Sequence, residues 1–220
     1  MAKQTRQTQH KTMNTIVHAA FRRDLARFDQ ALETFPTGSR PRAEQLKTAW
    51  DWLASELHHH HDYEETYFWP ALQQTDADLT VVSELDGEHH AMREALSEAE
   101  TAMTGLHTHP TGENAAHARD AVAHLATVLT DHLAHEERDL EPISAAYADT
   151  PPMKAAVKKV VKAHKGRLGA VFAWLQDGAD DDARKALREQ IPAPVVVVAT
   201  GVGGRGYRRD IATVWTAPAA

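Results

Sequence analysis

The chain has 220 residues, a formal net charge of −7 and no cysteine. That length suits one domain with an extension or two small ones, and the missing thiols exclude disulfides, thiolate metal sites, iron–sulfur clusters and cysteine nucleophiles. No apolar run approaches the ~20 residues of a membrane span, and Met1–Thr12 reads as a polar tail without a secretory hydrophobic segment, so a cytoplasmic protein is expected. Residues 151–220 carry 12 Lys and Arg against 6 Asp and Glu. Lys154, Lys158, Lys159, Lys162 and Lys165 read as the wet face of one amphipathic helix, since no aromatic platform accompanies them. Neither a nucleic-acid nor a membrane partner is expected.

In chain order, the apolar period predicts a first helix from Met13 to Phe35, closed by Phe35-Pro36-Thr37-Gly38. Pro41 opens a second helix that runs to about Trp69-Pro70. A third begins near Asp76–Asp78 and fades between Gly105 and Gly112. The fourth covers about Glu113 to Tyr147, with Pro142 near its end, and Pro151-Pro152 break the chain. A fifth helix carries Val157, Val160, Val161, His164, Leu168, Val171, Phe172 and Leu175 on one face and stops at Gln176-Asp177-Gly178. A short helix follows from Asp180 to Ile191. Val195–Val198 fits either a strand or a buried helical turn. Glycines between Gly201 and Gly206 loosen the chain before a last helical piece near Tyr207–Trp215. No alternating strand pattern occurs in the first 150 residues, so the fold class is all-α. The organisation expected is a tail over 1–12, a four-helix bundle over 13–149 and a helical extension over 150–220.

The bundle repeats itself. Trp50, Leu53, Leu57, His60, Glu64, Phe68 and Pro70, shifted by 72 positions, become Val122, Leu125, Leu129, His132, Glu136, Leu140 and Pro142. Glu65 maps onto Glu137 in the same register. His18, Phe21, Leu25, Phe28 and Leu32, shifted by 71, become His89, Met92, Leu96, Ala99 and Met103. Each set lies on one helix face. The bundle is therefore two related hairpins, each with one His on its first helix and His-x-x-x-Glu on its second.

Histidine is unusually frequent, at 15 residues. A His-x-x-x-Glu spacing sets both side chains on one helix face, ~5–6 Å apart at Cβ. Five such pairs occur, so position rather than number decides which matter: His60/Glu64, His61/Glu65, His90/Glu94, His109/Glu113 and His132/Glu136. His18, His60, Glu64, His89, His132 and Glu136 lie on apolar stripes at matching depth. Burying them without a shared partner costs several kcal/mol per group. The plainer alternative is that they satisfy one another through hydrogen bonds. A shared metal explains the convergence better, and imidazole with carboxylate suits iron, manganese or zinc. Six ligands exceed one tetrahedral zinc and suit two metals. The repeat favours His60/Glu64 over His61/Glu65, and alignment with Leu85, Met92 and Leu96 favours His89 over His90. His135 points off the stripe, and His58 and His59 are assigned to solvent or to a supporting layer. His164 reads as a satisfied core histidine, and Glu65 and Glu137 can orient ligand imidazoles.

The ordered set His18, His60-x-x-x-Glu64, His89, His132-x-x-x-Glu136, with Trp69-Pro70 and Pro142 closing the even helices, resembles the hemerythrin-like (HHE cation-binding) domain. The resemblance covers about 13–149. It implies an up-down-up-down four-helix bundle around two iron ions, with those six residues at ligand positions and the two carboxylates bridging. It further implies reaction with O2, peroxide or nitric oxide in binding, sensing or redox protection. The alternatives are catalase-like disproportionation of hydrogen peroxide and a structural helical module with packed or zinc-bound histidines. Two departures stand out: Arg93 occupies the place of a second His one turn along helix 3, and helix 4 has Glu at four where oxygen carriers have Asp at five. One iron is then short of a protein ligand, leaving room for solvent, Tyr63 or Tyr67, or another His.

Overall fold

A computed structural model describes residues 12–164, 166–191 and 193–216, so the tail expectation for residues 1–11 and the lysine at 165 lie outside the described residues. The bundle consists of α1 (Met13–Glu33), α2 (Arg40–Tyr63), α4 (Thr80–Thr108) and α5 (Gly112–His135). α2 is prolonged by a π-helical turn, π1 (Glu64–Phe68), and by α3 (Trp69–Leu72). α5 is prolonged in the same way by π2 (Glu136–Leu140) and α6 (Glu141–Tyr147). No strand occurs among the described residues. Short connections turn each long helix back along its predecessor, and α1 packs on α5, α2 on α4 and α4 on α5.

Local chemistry sets the helix starts. The Thr12 hydroxyl accepts the Thr15 N–H at 3.2 Å, while the Thr15 hydroxyl accepts the Thr12 N–H at 2.9 Å, so two orphan donors are satisfied reciprocally. Ser39 caps α2 through the Arg42 N–H, with Pro41 in the first turn where no N–H is needed. Thr111 does the same for α5 through the Asn114 N–H. The stripes then bury Phe21, Leu25 and Phe28 of α1, Leu46, Trp50, Leu53 and Leu57 of α2, Met92, Leu96 and Met103 of α4, and Val122, Leu125 and Leu129 of α5. Burial of such side chains contributes ~1.5–3 kcal/mol each, enough collectively to offset one polar layer at the bundle's end.

The π turns have a cause in the sequence. Pro70 and Pro142 each lack an N–H and crowd the preceding turn, so a regular α-helix cannot pass through unchanged. Each helix widens instead: the Trp69 N–H reaches the Glu64 carbonyl and the Glu141 N–H reaches the Glu136 carbonyl, five residues back. Both widened turns begin at the glutamates of the repeated motif.

In the C-terminal segment the fifth helix and the glycine run depart from expectation, and of the two readings of Val195–Val198 the helical one holds, though Val195, Val197 and Val198 are exposed. The fifth helix is two helices, α7 (Pro151–Ala163) and α8 (Leu168–Gln176), separated by a turn in which Gly166 has φ of 90°. Only Gly adopts that conformation without strain, and the break uncouples the two apolar faces. Val157 and Val161 are half-exposed, and α7 instead buries Met153 and Ala156 beside Trp69 and Leu72. Val195–Val198 lies within a helix, α10 (Ala193–Gly203), and not in a strand. The glycines at 201 and 203 continue that helix rather than loosening it. A Cβ on Gly169 would fall 2.3 Å from the Ala199 carbonyl oxygen and 2.5 Å from the Gly203 Cα, so glycine permits the close crossing of α8 and α10.

Between them lies α9 (Asp181–Gln190), capped by Asp180 through the Ala183 N–H at 2.6 Å. α11 (Arg205–Asp210) and a 3-10 turn (Ala212–Trp215) are the last elements among the described residues. Val171, Phe172, Trp174 and Leu175 of α8, with Tyr207, Ile211 and Val214, join the bundle's own core. The extension is thus fused to the outside of α1 and α2. No helix among the described residues is long and apolar enough to cross a membrane.

Candidate metal centre

The repeat places a buried polar layer where the two π turns begin. His18, His61, Glu64, His89, His132 and Glu136 are buried, and His60 is nearly so. They form two groups that share Glu64: His61, Glu64, His89 and His132 on one side, and His18, His60, Glu64 and Glu136 on the other. Within each group, one ligand atom from every residue lies within 4.8 Å of the others. His18 Nε2 is 3.1 Å from His60 Nε2 and 3.3 Å from Glu136 Oε2. Glu64 reaches both groups, with Oε1 3.1 Å from His60 Nε2 and Oε2 3.5 Å from His89 Nε2.

All six residues favoured by the repeat are brought together. His61 joins them, although the stripe favours His60. The two are adjacent and ~100° apart around the helix, and Glu64 stands four residues beyond one and three beyond the other, so it lies between them. His61 also supplies the imidazole that Arg93 does not. Tyr63 and Tyr67 belong to neither group; they stack on one another at 5.8 Å, with His164 against Tyr63 at 5.0 Å. His90 is exposed beside Glu94, and Glu65 faces outward. His164 is satisfied by the Val160 carbonyl at 3.0 Å, as a packed histidine should be.

A second layer aims the imidazoles. The Glu137 carboxylate accepts from His18 Nδ1 at 2.9 Å, and the same oxygen accepts from Arg22 at 2.7 Å. One repeat along, Glu65 accepts from His89 Nδ1 at 2.7 Å and from Arg93 at 2.8 Å. Glu88 accepts from His132 Nδ1 at 2.9 Å and from His135 Nδ1 at 2.7 Å. With Nδ1 protonated and held, the Nε2 lone pair points into the centre, which is the tautomer a metal requires. Asn14 donates to Glu136 Oε1 at 3.0 Å and fixes that carboxylate. Sequence reasoning missed Glu88 and Asn14; neither lies in the repeat register of the motif.

Electrostatics divides the two carboxylates. Burial, reinforced by the neighbouring Glu136 charge, pushes Glu64 well above the ordinary carboxylate range. Burial opposes charge on Glu136 too, but the hydrogen bond and charge of His18, with the charges of His60 and His132, bring it down to about 2. His18 is held above the ordinary histidine value: burial works against it, and Glu136 and Glu137 more than compensate. Burial, then the His18 charge, lowers His60 to about 3. Burial, with neighbouring imidazole charge, drives His61 well below its usual value, and burial likewise lowers His89 and His132. These four imidazoles are therefore neutral at pH 7, the form that can bind a metal.

The donor set fits metal. His61 Nε2, His89 Nε2, His132 Nε2, both Glu64 oxygens and Glu136 Oε2 are buried without a well-aligned hydrogen bond. Each such orphan costs ~1–3 kcal/mol, and all six belong to residues of the two groups that share Glu64. Mutual hydrogen bonding, the plainer alternative, leaves the Nε2 atoms of His61, His89 and His132 without partners, while His60 and His18 Nε2 stand 3.1 and 3.3 Å from Glu64 Oε1 and Glu136 Oε2. With no thiolate and two carboxylates, the set suits iron, manganese or zinc. A family model described as Hemerythrin HHE cation binding domain matches residues 15–144. No curated protein and no solved structure matches the chain.

Proposed function

The chain belongs to the hemerythrin HHE cation-binding family, and from that premise we propose that it is a non-haem di-iron protein that reacts with O2, peroxide or nitric oxide in binding, sensing or redox protection. The observation that carries the reading is the convergence of six buried, unsatisfied ligand atoms on two groups that share Glu64. His61, His89 and His132 would hold one iron and His18, His60 and Glu136 the other, with Glu64 common to both groups. Bound there, a redox-active iron pair with an open coordination position supplies electron transfer and Lewis-acid activation of a small ligand.

The chain's own residues prepare that chemistry. Glu65, Glu88 and Glu137 fix the tautomers of His89, His132 and His18. Trp69 lies flat on His89 at 4.8 Å and Phe21 leans on His60 at 5.5 Å, so apolar walls exclude bulk water from the ligand layer. The His18 side has fewer imidazoles, and that side supports the open position.

Metal content per chain, with absorption spectra before and after air, peroxide or azide, tests the reading. About two irons per chain with ligand-responsive near-ultraviolet bands supports it. His60→Ala combined with His132→Ala should abolish iron binding and leave much of the helicity; normal iron content in that double variant sinks the proposal. A metal-dependent burst of O2 on adding peroxide extends it to peroxide disproportionation. Zinc alone, after anaerobic iron loading, replaces it with a structural site.

A further inference from the structure

We infer that Trp174 and Trp52 form an electron-transfer route that joins the metal centre to a surface groove, where a small one-electron reductant of the phenol or hydroquinone class is oxidised. The inference rests on the redox reading above and assigns a role to the C-terminal extension.

The rings form an unbroken line. Phe21 stands between His60, at 5.5 Å, and Trp174, at 5.2 Å between centroids. Trp174 is 6.4 Å from Trp52, and Trp52 is 5.4 Å from Tyr207. α1 supplies Phe21, α2 supplies Trp52, and the extension supplies Trp174 and Tyr207. Trp174 is fully buried, whereas Trp52 is half-buried and lines an open groove of about 470 Å³ with Ser55, Arg167 and Tyr207. The line therefore starts on a ligand imidazole and ends at solvent.

Core packing accounts for aromatic bulk but not for the polar settings along this line. Trp174 Nε1–H donates to Asp24 Oδ2 at 2.7 Å, while the indole nitrogens of Trp50, Trp52, Trp69 and Trp215 have no hydrogen bond. Asp24 is 1% exposed and is bonded by Arg23 at 2.8 Å and Arg27 at 3.1 Å. Tyr207 donates its phenol proton to Asp177 at 3.0 Å, and Arg27 bridges Asp177 back to Asp24. A carboxylate on the N–H stabilises positive charge on an oxidised indole in this low-dielectric setting.

Trp174 would give one electron through Phe21 toward the centre, its N–H staying hydrogen-bonded to Asp24, whose carboxylate offsets the positive charge left on the indole. Trp52 would then reduce Trp174 and return it to the neutral indole. Tyr207 can share the oxidising equivalent, its proton passing to Asp177. At the groove, a hydroquinone gives Trp52 one electron and releases one proton to water. Two such passages would supply two electrons, and the two protons released by the hydroquinone balance the two that peroxide reduction takes up. Hydrogen peroxide is reduced to two waters while hydroquinone is oxidised to quinone.

The test uses the full chain loaded with iron, mixed anaerobically with hydrogen peroxide and freeze-quenched for electron paramagnetic resonance, with hydroquinone oxidation followed in parallel. The wild type should show an organic radical. Trp52→Phe and Trp174→Phe should weaken it and slow hydroquinone oxidation, while iron content and the absorption of the centre stay unchanged. Trp174→Tyr should restore transfer with a tyrosyl line shape, and Trp215→Phe, off the line, should behave as wild type. Identical radical and rate in wild type, Trp52→Phe and Trp174→Phe overturn the route alone, as does an iron-loaded wild type with no radical. A wild type that binds no iron overturns the di-iron reading and the route with it. If Trp174→Phe does not fold, the half-exposed Trp52→Phe decides.

Discussion

The two halves of the metal centre agree in their supports and differ in their ligands. His18, Arg22 and Glu137 recur as His89, Arg93 and Glu65, each a buried imidazole held by a glutamate that an arginine holds in turn. The ligands break that symmetry: His61 has Leu133 as its counterpart 72 residues on. One group therefore has three imidazoles and the other two. Glu88 adds a brace on His132, whereas Val17 occupies the corresponding position in the first half. Duplication preserves the geometry that points imidazoles inward, and a single residue next to a repeated His makes the two candidate groups unequal.

The largest expected effect comes from the one residue both groups share. Glu64→Gln replaces a carboxylate oxygen with an amide nitrogen in the residue both groups share, so metal content should fall for both groups together, along with the stabilisation that bound metal gives the fold. Metal analysis and thermal unfolding, each with and without iron, measure it. Retention of one tightly held ion would break the picture of two groups sharing a carboxylate.

His61→Leu sharpens the comparison, because it gives the first half the residue found in the second at that register. The expected result is preferential loss of one metal, with the His18 and His60 side retained. Leu133→His is the reciprocal change and should raise affinity on that side if the imidazole finds space. Metal titration followed by absorption distinguishes the two positions. Equal loss from both positions in His61→Leu would mean that His61 holds neither metal separately.

Much of this centre is legible in the sequence, and the reasons for the gaps are physical. The repeat identifies His18, His60, Glu64, His89, His132 and Glu136 because a buried polar residue on an apolar stripe stands out when it recurs at the same depth. It passes over His61 because a helical stripe selects one of two adjacent residues, and at this point the bundle buries both. It passes over Glu88 and Asn14 because they brace ligands from neighbouring helices, and such cross-helix contacts leave no periodic mark. The π turns do have a signal, Pro70 and Pro142 each six residues after a motif glutamate. In the extension, Val157 to Leu175 keeps helical spacing across Gly166, so the period conceals a break that one positive φ creates.

A smaller effect is expected from the glutamates that hold Nδ1. Glu65→Gln and Glu137→Gln should each weaken metal binding by roughly 10–100-fold, as loss of an outer carboxylate partner typically does. The two should match closely, because this part of the repeat is preserved. Despite partial burial, which favours the neutral acid, hydrogen bonds from His89 and Arg93 hold Glu65 below the ordinary carboxylate range, and those from His18 and Arg22 do so for Glu137. Their contribution to the stability of the metal-free protein is thus present above the ordinary carboxylate range and lost as pH falls below it. Denaturant midpoints across that window check the sign, and unequal losses between the two variants would show that the halves differ in support as well as in ligands.

The arginines behind those glutamates should matter least, and unequally. Both touch a carboxylate that is already bonded to an imidazole, and pairs of this exposure contribute about 0–1 kcal/mol. Arg93 is 48% exposed and Arg22 31%, so water replaces the Arg93 bond more readily. Arg22→Gln should therefore reduce metal affinity more than Arg93→Gln does, with both changes smaller than those of the glutamate variants. Raising salt should narrow the gap between each arginine variant and wild type, since the lost interaction is a screened one. An Arg93→Gln effect as large as that of Glu65→Gln would mean that the arginine, rather than the glutamate, sets the orientation of His89.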